Sequence, residues 1–316
     1  MLKAAKLIVW DESPCQHRYC FECVDRLLQD FCSSPEPFGG ITLLFAGDFR
    51  QTLPVIPRAS MGQSAAASIQ YTSFWENIHH LYLTENLRKQ TSNLDSTAHE
   101  RASSFAHWII RVGDGDPALT VVDNYISIPT GYMVQPQTLS ALLSCVYSGL
   151  STRANDWSEF FAARAILAPH NETVDMVNSQ MLERIPGESV NFLSEDSAED
   201  DDNEVYPVEF LNSLTSASLP PHKLEIKIGT PVMVIRNIAP RDGVCNGTRL
   251  IVTAIGRRVI EGKILIGDFA GHRVFIPRIV FTTGQDEALP VSLRRKQFPL
   301  RLAFAMTINK AQGQSL

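Results

Sequence analysis

Two stretches decide the reading of this chain: Leu7-Ile8-Val9-Trp10-Asp11-Glu12, and Ile41-Thr42-Leu43-Leu44-Phe45-Ala46-Gly47-Asp48. Each is an apolar run that closes on acidic side chains. Continuous apolar runs of this length, without polar alternation, predict strands buried in a parallel sheet. Between them, His17 to Cys32 repeats apolar residues at i, i+3 and i+4, the pattern of a crossover helix. Strand, helix and strand in that order predict an α/β sheet, whose ligand-binding groups collect beyond the carboxyl ends of the strands.

Working outward, His79 to Leu83 reads as a third strand and Asp95 to Val112 as a helix. Residues 116–149 are mixed, with Pro117, Pro129 and Pro136 as breakers and Leu139 to Tyr147 as a helix. A second α/β unit starts near Arg153, with Ala162 to Ala168 as strand, Pro169-His170-Asn171 as turn and Val174, Val177 and Met181 on one face of a helix. Ser194 to Glu204 holds seven acids in eleven residues and no aromatic, so a solvated loop is expected there. From Leu224 to Val280, short β-rich runs (231–235, 249–252, 263–266, 273–276) alternate with Gly and Asn turns and predict a small barrel. Leu300 to Ala305 reads as one strand, with a helix from Asn309 onward.

A chain of 316 residues with 44% hydrophobic and 20% charged residues has the size of about two domains. That excludes a small disulfide scaffold and wholesale disorder. No apolar run approaches a membrane span, and the apolar start runs into Asp11-Glu12 where a secretory signal would carry a cleavage site. Net charge is −6, unevenly spread: 13 basic and 28 acidic residues precede Pro221, and 15 basic and 6 acidic follow it, leaving −15 and +9. A polyanion would be held by the C-terminal third; a solvated basic surface is the plainer reading. Four of six cysteines (Cys15, Cys20, Cys23, Cys32) fall early, but Cys20 and Cys23 sit in a helical pattern without a zinc-knuckle turn. Reduced thiols packed as small apolar groups are expected.

An apolar strand ending in Asp11-Glu12 is the arrangement with which P-loop NTPases hold Mg²⁺ and orient an attacking water, and it is also an end that any buried strand can have. Gly47-Asp48-Phe49-Arg50-Gln51-Thr52-Leu53-Pro54 supplies a second strand end with a side-chain amide. Gln51 suits a γ-phosphate sensor or water-positioning group; the plainer alternative is a turn in which Asp48 caps backbone amides.

These strings resemble those of the Pif (petite integration frequency) family of superfamily-one DNA helicases, and especially the helicases of Helitron transposons. The resemblance lies in Val9-Trp10-Asp11-Glu12 (motif II), Phe38-Gly39-Gly40 leading to Gly47-Asp48-Phe49-Arg50-Gln51 (motif III), and Leu83-Thr84-Glu85-Asn86-Leu87-Arg88 (motif IV). It continues in Gly229-Thr230-Pro231-Val232-Met233, Cys245-Asn246-Gly247-Thr248, and Phe304 to Leu316 (motif V). It implies two incomplete RecA-like P-loop NTPase domains with an inserted small SH3-like β-barrel. Residues 1–112 would close the first RecA-like domain, 113–152 connect, 153–221 and 283–316 form the second, and 222–282 form the barrel. By resemblance, Asp11 holds Mg²⁺, Glu12 activates water, Gln51 contacts the γ-phosphate of ATP and Arg88 is an arginine finger. Gln312 and Gly313 lie near the nucleotide, and Thr307, Asn309 and Lys310 approach single-stranded DNA. Asn309 stands where the family usually has His. The barrel's aromatic candidates for base stacking are Phe269, Phe275 and Phe281, with core packing the expected use of most.

The implied activity is ATP-dependent 5′-to-3′ DNA unwinding in repair, recombination, telomere maintenance or transposition. Single-stranded DNA and DNA junctions are the implied partners. Residence would be nuclear, with mitochondria the family's alternative. No Gly-x-x-x-x-Gly-Lys-Ser/Thr string occurs, however, and Gly262-Lys263 is followed by Ile264 within the barrel. The chain therefore reads as the middle of a helicase, catalytically incompetent alone. The alternative is a non-catalytic relic that binds single strands.

Overall fold

Strands β1 (Leu7–Trp10) and β2 (Thr42–Phe45) run parallel and in register, with Leu7 opposite Thr42 and Trp10 opposite Phe45. The helix between them, α1 (Arg18–Cys32), starts where His17 Nδ1 accepts the Tyr19 amide at 3.1 Å and ends at Ser33 in the left-handed conformation. Its inward face carries Phe21 and Leu28, which pack with Phe38, Ile69 and Phe74 and against Trp10 and Phe45 of the sheet. The Trp10 and Phe21 rings lie 4.5 Å apart, so aromatic burial fastens the crossover helix to the strands.

The computed structural model describes residues 4–56, 59–85, 96–122, 125–150, 157–198, 206–216, 218–283 and 289–312. It forms two units, Met1–Met133 and Val134–Leu316. The first also contains α2 (Met61–Ala66), opened by a Ser60/Gln63 capping box, then α3 (Ser96–Gly113) and a short hairpin of β3 (Thr120–Val122) and β4 (Tyr125–Ile126). Two expectations fail here. The sheet is buried on one face only: Leu7, Val9 and Leu44 are exposed, because α1 and its neighbours cover the opposite side. His79 to Leu83 forms no strand, and Leu81, Tyr82 and Leu83 stand in solvent, since no described strand pairs with them.

In the second unit, α4 (Leu139–Val146), α5 (Trp157–Ala162), β5 (Ile166–Ala168) and α6 (Asn171–Arg184) lead into a β-rich region. That region comprises β6 (Val190–Leu193), β7 (Glu195–Ala198), α7 (Val208–Ser213), β8 (Lys223–Ile226), β9 (Pro231–Val234), β10 (Arg249–Ile255), β11 (Val259–Ile264), β12 (Arg273–Pro277), β13 (Ile279–Thr282) and β14 (Leu293–Gln297). The chain closes with β15 (Leu300–Leu302), β16 (Ala305–Thr307) and α8 (Ile308–Ala311). A five-stranded antiparallel sheet has the order β12-β11-β10-β9-β15, and its core holds Val232, Val234, Leu250, Val252, Ile260 and Ile276. The strand expected over 300–305 is in fact two strands in two sheets: β15 pairs antiparallel with β9, and β16 pairs parallel with β5.

The acidic segment is also corrected. Glu195–Ala198 is a strand paired with β14, not a solvated loop, and residues 199–205 lie outside the described residues. The Asp196 carboxylate is fully buried against Arg295, which donates to it from Nε at 3.0 Å and from Nη2 at 2.7 Å. Arg295 comes from a strand about a hundred residues away, a counter-charge that local composition does not reveal. The cysteine expectation changes as well: Cys20 and Cys23 are exposed, because α1 turns Phe21 and Leu28 inward. No helix among the described residues is long and apolar enough to cross a membrane.

Removing one member of a buried, hydrogen-bonded ion pair leaves the other charged and unsolvated. Arg295→Met is therefore expected to cost about 3–5 kcal/mol of unfolding free energy, measured by urea denaturation.

Candidate functional site

The sequence places its acidic and amide candidates where β1 and β2 end, and the backbone holds those ends together. The Ala46 amide donates to Trp10 O at 2.8 Å and the Ser13 amide to Ala46 O at 2.9 Å, carrying the pairing past both strands. Gly47 fits against Pro14: a Cβ there would lie 2.2 Å from Pro14 Cδ, so only glycine allows this approach. Asp11 is exposed, and its Oδ1 accepts the Glu12 amide at 3.0 Å. Glu12 takes up the left-handed conformation at φ 51, and its Oε2 is buried with no hydrogen-bond partner. A carboxylate oxygen in that state favours a ligand or water able to donate to it.

Beyond β2, Asp48 Oδ1 accepts the Arg50 amide at 3.0 Å, so Asp48 shapes its own turn as the plainer reading had it. Gln51 is half-buried at the end of that turn, its amide donating to Asp48 O. Arg50 reaches across to Asp114 at 2.7 Å, which ties the turn to the end of α3.

A second site lies in the other unit, where β5 and β16 end side by side with Ala168 opposite Thr307. Each parallel strand runs into a helix, α6 and α8 respectively. A cavity of about 500 Å³ opens beside them, lined by Asn171 and Asp175 of α6, Thr307 and Lys310 at α8, and Arg301 of β15. Arg301 is held by the carbonyls of Ser216 and Leu219, at 2.9 and 2.6 Å, while its Nε is buried without a partner. Burial pushes the Lys310 ammonium below the ordinary lysine range and the Arg301 charge pushes it the same way, with Asp175 opposing.

Residues 1–122 match the family model described as PIF1-like helicase, and residues 209–255 match that of DNA helicase Pif1, 2B domain. The chain is a distant homologue of the Pif1-like helicases. It is 24% identical over 99% of its length to the ATP-dependent DNA helicase PIF1 of Danio rerio, and 25% identical over its whole length to that of Mus musculus. In each comparison it spans 41% of the relative. Among solved structures it is similar to Bacteroides Pif1 bound to ssDNA (TM-score 0.62, 21% identity, all of this chain and 64% of that one). The Candida albicans Pif1 helicase gives a TM-score of 0.62 at 22% identity, over all of this chain and 66% of that one. These likenesses show a shared mixed α/β fold.

The structure brings Thr307 and Lys310 to the cavity, whereas Asn309 is exposed and does not line it. Gln312 is half-buried after α8. Arg88 and Gly313 lie outside the described residues. Sequence reasoning missed Arg301 and Asn178. The buried Asn178 side chain accepts the Ala305 amide at 2.8 Å and donates to Leu302 O and Ala305 O, pinning α6 to the start of β16. Its one sequence signal is a polar residue beside Val174, Val177 and Met181 on the helix's apolar face. Arg301 gave none, because its burial depends on residues 216 and 219 folding over it.

The charges facing Lys310 fix the direction of their effects. Arg301→Leu is expected to raise the Lys310 pKa toward 10.5 and Asp175→Asn to lower it further, both read from side-chain NMR titration.

Proposed function

We propose that the chain acts in ATP-dependent 5′-to-3′ DNA unwinding of the Pif-family kind. On this reading the second of two incomplete RecA-like domains is interrupted by an SH3-like barrel at 222–282. The observation that carries it is the pairing of β1 and β2 ends, which seats Glu12, with an orphaned buried oxygen, next to the Asp48–Gln51 turn. A solved Bacteroides Pif1 was captured with ADP-AlF3 and ssDNA, which supports the same chemistry here.

Glu12 Oε2 accepts a proton from the attacking water, and Gln51 orients that water or the γ-phosphate. Asp11 fits a single-carboxylate magnesium ligand, since one oxygen is engaged by the Glu12 amide and Mg²⁺ sites need only one or two carboxylates beside phosphates and water. When bound, the ion supplies charge neutralisation at the phosphates. Arg88 offers two parallel donors to the transferring phosphoryl group, a fork that Lys lacks. Gln312 and Gly313 contact the nucleotide. Thr307 and Lys310 hold phosphates of single-stranded DNA at the cavity, with Asn309 beside them. Nuclear residence, and work in DNA maintenance or transposition at single strands and junctions, go with this reading.

The 316 residues include no P-loop string to cradle the β- and γ-phosphates. A second reading, a non-catalytic protein that binds single strands without turnover, is favoured by the +9 charge after Pro221.

The test is fluorescence anisotropy with a labelled single-stranded oligonucleotide across a salt series, together with an ATPase assay. Salt-sensitive binding is expected, and Lys310→Ala should lower the salt slope by about 1. Binding should also fall at alkaline pH below the ordinary lysine value of 10.5, because Lys310 loses its proton early; Lys310→Arg should abolish that fall. No ATP turnover is expected from this chain. DNA-stimulated hydrolysis lost in Glu12→Gln would overturn its incompetence, and binding indifferent to salt and to Lys310 would overturn the reading.

A further inference from the structure

The early cysteines are a sequence feature that the proposed function leaves unused. Of the six free cysteines, Cys15, Cys32 and Cys245 are half-buried, while Cys20, Cys23 and Cys145 are exposed. Cys15 Sγ donates to Thr52 O at 3.3 Å, and burial pushes its thiol above the ordinary cysteine range. Cys32 lies under Gly39, where an added Cβ would come within 2.8 Å of Cys32 Cβ. Cys145 stands in α4, in the other unit. Cys20 and Cys23 remain, two exposed thiols three residues apart in one helix.

Residues i and i+3 of an α-helix share a face, with Cα atoms about 5 Å apart. A disulfide spans Cα pairs of roughly 4.4–6.8 Å, so the backbone spacing suits a bridge. The Cβ atoms fit less well: helical neighbours stand at roughly 5–6 Å, and a disulfide needs about 3.5–4.5 Å. The helix start supplies the adjustment. Cys20 is the third residue of α1, and its amide donates to His17 O at 2.9 Å, the i to i−3 bond of tighter 3₁₀ winding. That winding, carried through one more turn, brings the side chains at i and i+3 into eclipse. On the inner side of this turn Phe21 is fully buried against Trp10, the residue before Asp11 and Glu12. Arg18 is tied to the Ala67 carbonyl through its amide at 2.7 Å and to the Tyr71 carbonyl through Nη1 at 3.1 Å. The turn is anchored from within while its thiols face outward.

We infer that Cys20 and Cys23 form a dithiol site that a low-molecular-weight disulfide oxidises to an intrahelical bridge, and that an excess of the matching thiol reopens it. One cysteine thiolate attacks a sulfur of the reagent and releases one reagent thiolate. The second cysteine thiolate then attacks the cysteine sulfur of that mixed disulfide, closes the Cys20–Cys23 bond and releases the other reagent thiolate. Two electrons pass from the cysteine pair to the reagent, and the two cysteine protons end on the two released thiols. Strain makes the bridge reversible: the Cβ atoms must be drawn in from helical spacing, so the bond is more easily reduced than a relaxed structural disulfide. A metal ion suits the pair less, because among the described residues no group of three or more His, Cys, Asp or Glu side chains is placed to hold one. The inference does not rest on the nucleic-acid reading. It places the redox-accessible turn of the first unit on the helix that follows Glu12.

Trypsin cuts after Arg18 and Arg26, and the peptide between, Tyr19-Cys20-Phe21-Glu22-Cys23-Val24-Asp25-Arg26, holds both thiols and no other cysteine. The native chain is equilibrated with glutathione buffers of increasing oxidised fraction, quenched with acid and an alkylating agent, digested and weighed by mass spectrometry. Peptide 19–26 is expected to lose two hydrogens and to escape alkylation as the oxidised fraction rises, and to recover both when reduced glutathione is added in excess. Cys20→Ser and Cys23→Ser should each stop at a mixed disulfide with glutathione on the remaining cysteine. Cys145, the one cysteine of α4, gives the behaviour of a single exposed thiol in the same digest. A peptide 19–26 that stays reduced at every ratio, that collects glutathione to the extent seen at Cys145, or that links two chains would overturn the inference. Circular dichroism before quenching guards against oxidation of unfolded chain: the helical signal is expected to persist, and a bridge that forms only as that signal is lost would overturn the inference as well.

Discussion

The second unit depends on one buried polar crossing. At Leu302–Ala305 the chain leaves the antiparallel barrel sheet and enters the parallel pair with β5, and a strand that changes sheets exposes backbone groups that neither ladder satisfies. Three side chains from three elements meet that demand. Asn178 of α6 bonds Leu302 and Ala305, Arg249 of β10 donates to Ala303 O at 3.2 Å and Arg164 O at 2.9 Å, and the Tyr147 hydroxyl donates to Phe304 O. Each is buried, so loss of any one strands a polar group away from water. Burial raises the Tyr147 hydroxyl pKa far above the tyrosine norm and lowers that of Arg249, which keeps Tyr147 a neutral donor. The consequence reaches the cavity. The crossing fixes where β16 ends, and hence where Thr307 and Lys310 meet the cavity.

The first unit solves a different problem with less material. Its candidate groups sit on turns, where side-chain direction is set by backbone details: a left-handed Glu12, a Gly47 pressed on Pro14, and an Asp48 that shapes its own turn. The Glu12 conformation is uncommon for a non-glycine residue, and it coincides with an oxygen buried without a donor. Strain and an unmet hydrogen bond at one residue are both destabilising. Both meet at Glu12, the residue on which the proposed function rests.

Electrostatics divides along similar lines. The chain's net charge of −6 conceals a basic C-terminal third, and the structure sorts those cations by use. Arg249, Arg295 and Arg301 are spent on buried carbonyls and on Asp196, which is internal architecture. Lys310 faces a cavity, and Arg257, Arg258, Lys263 and Arg273 face outward, so only part of the basic excess is available to a polyanion. Counting charges could not have made that division.

The sequence by itself determined the elements whose signal is local. Apolar runs gave β1 and β2, helical periodicity gave α1, and short runs between turns gave β9, β10 and β12, because strand and helix periods are properties of neighbouring residues, whereas the run expected at 263–266 proved to be the strand Val259–Ile264. The positions of Asp11, Glu12 and Gln51 beyond strand ends were legible for the same reason. Only the tertiary structure decided what depends on distant partners. Glu195–Ala198 became a strand because Arg295 neutralises Asp196, residues 300–305 split because β9 and β5 each claim part of them, and His79 to Leu83 stayed unpaired for want of a neighbour. Phe275 and Phe281 are chemically the same and six residues apart, yet one is exposed and the other buried, because they lie in different sheets: Phe275 stands on the outer face of β12, while Phe281 of β13 packs with Leu211, Ile235 and Leu293, which come from distant elements.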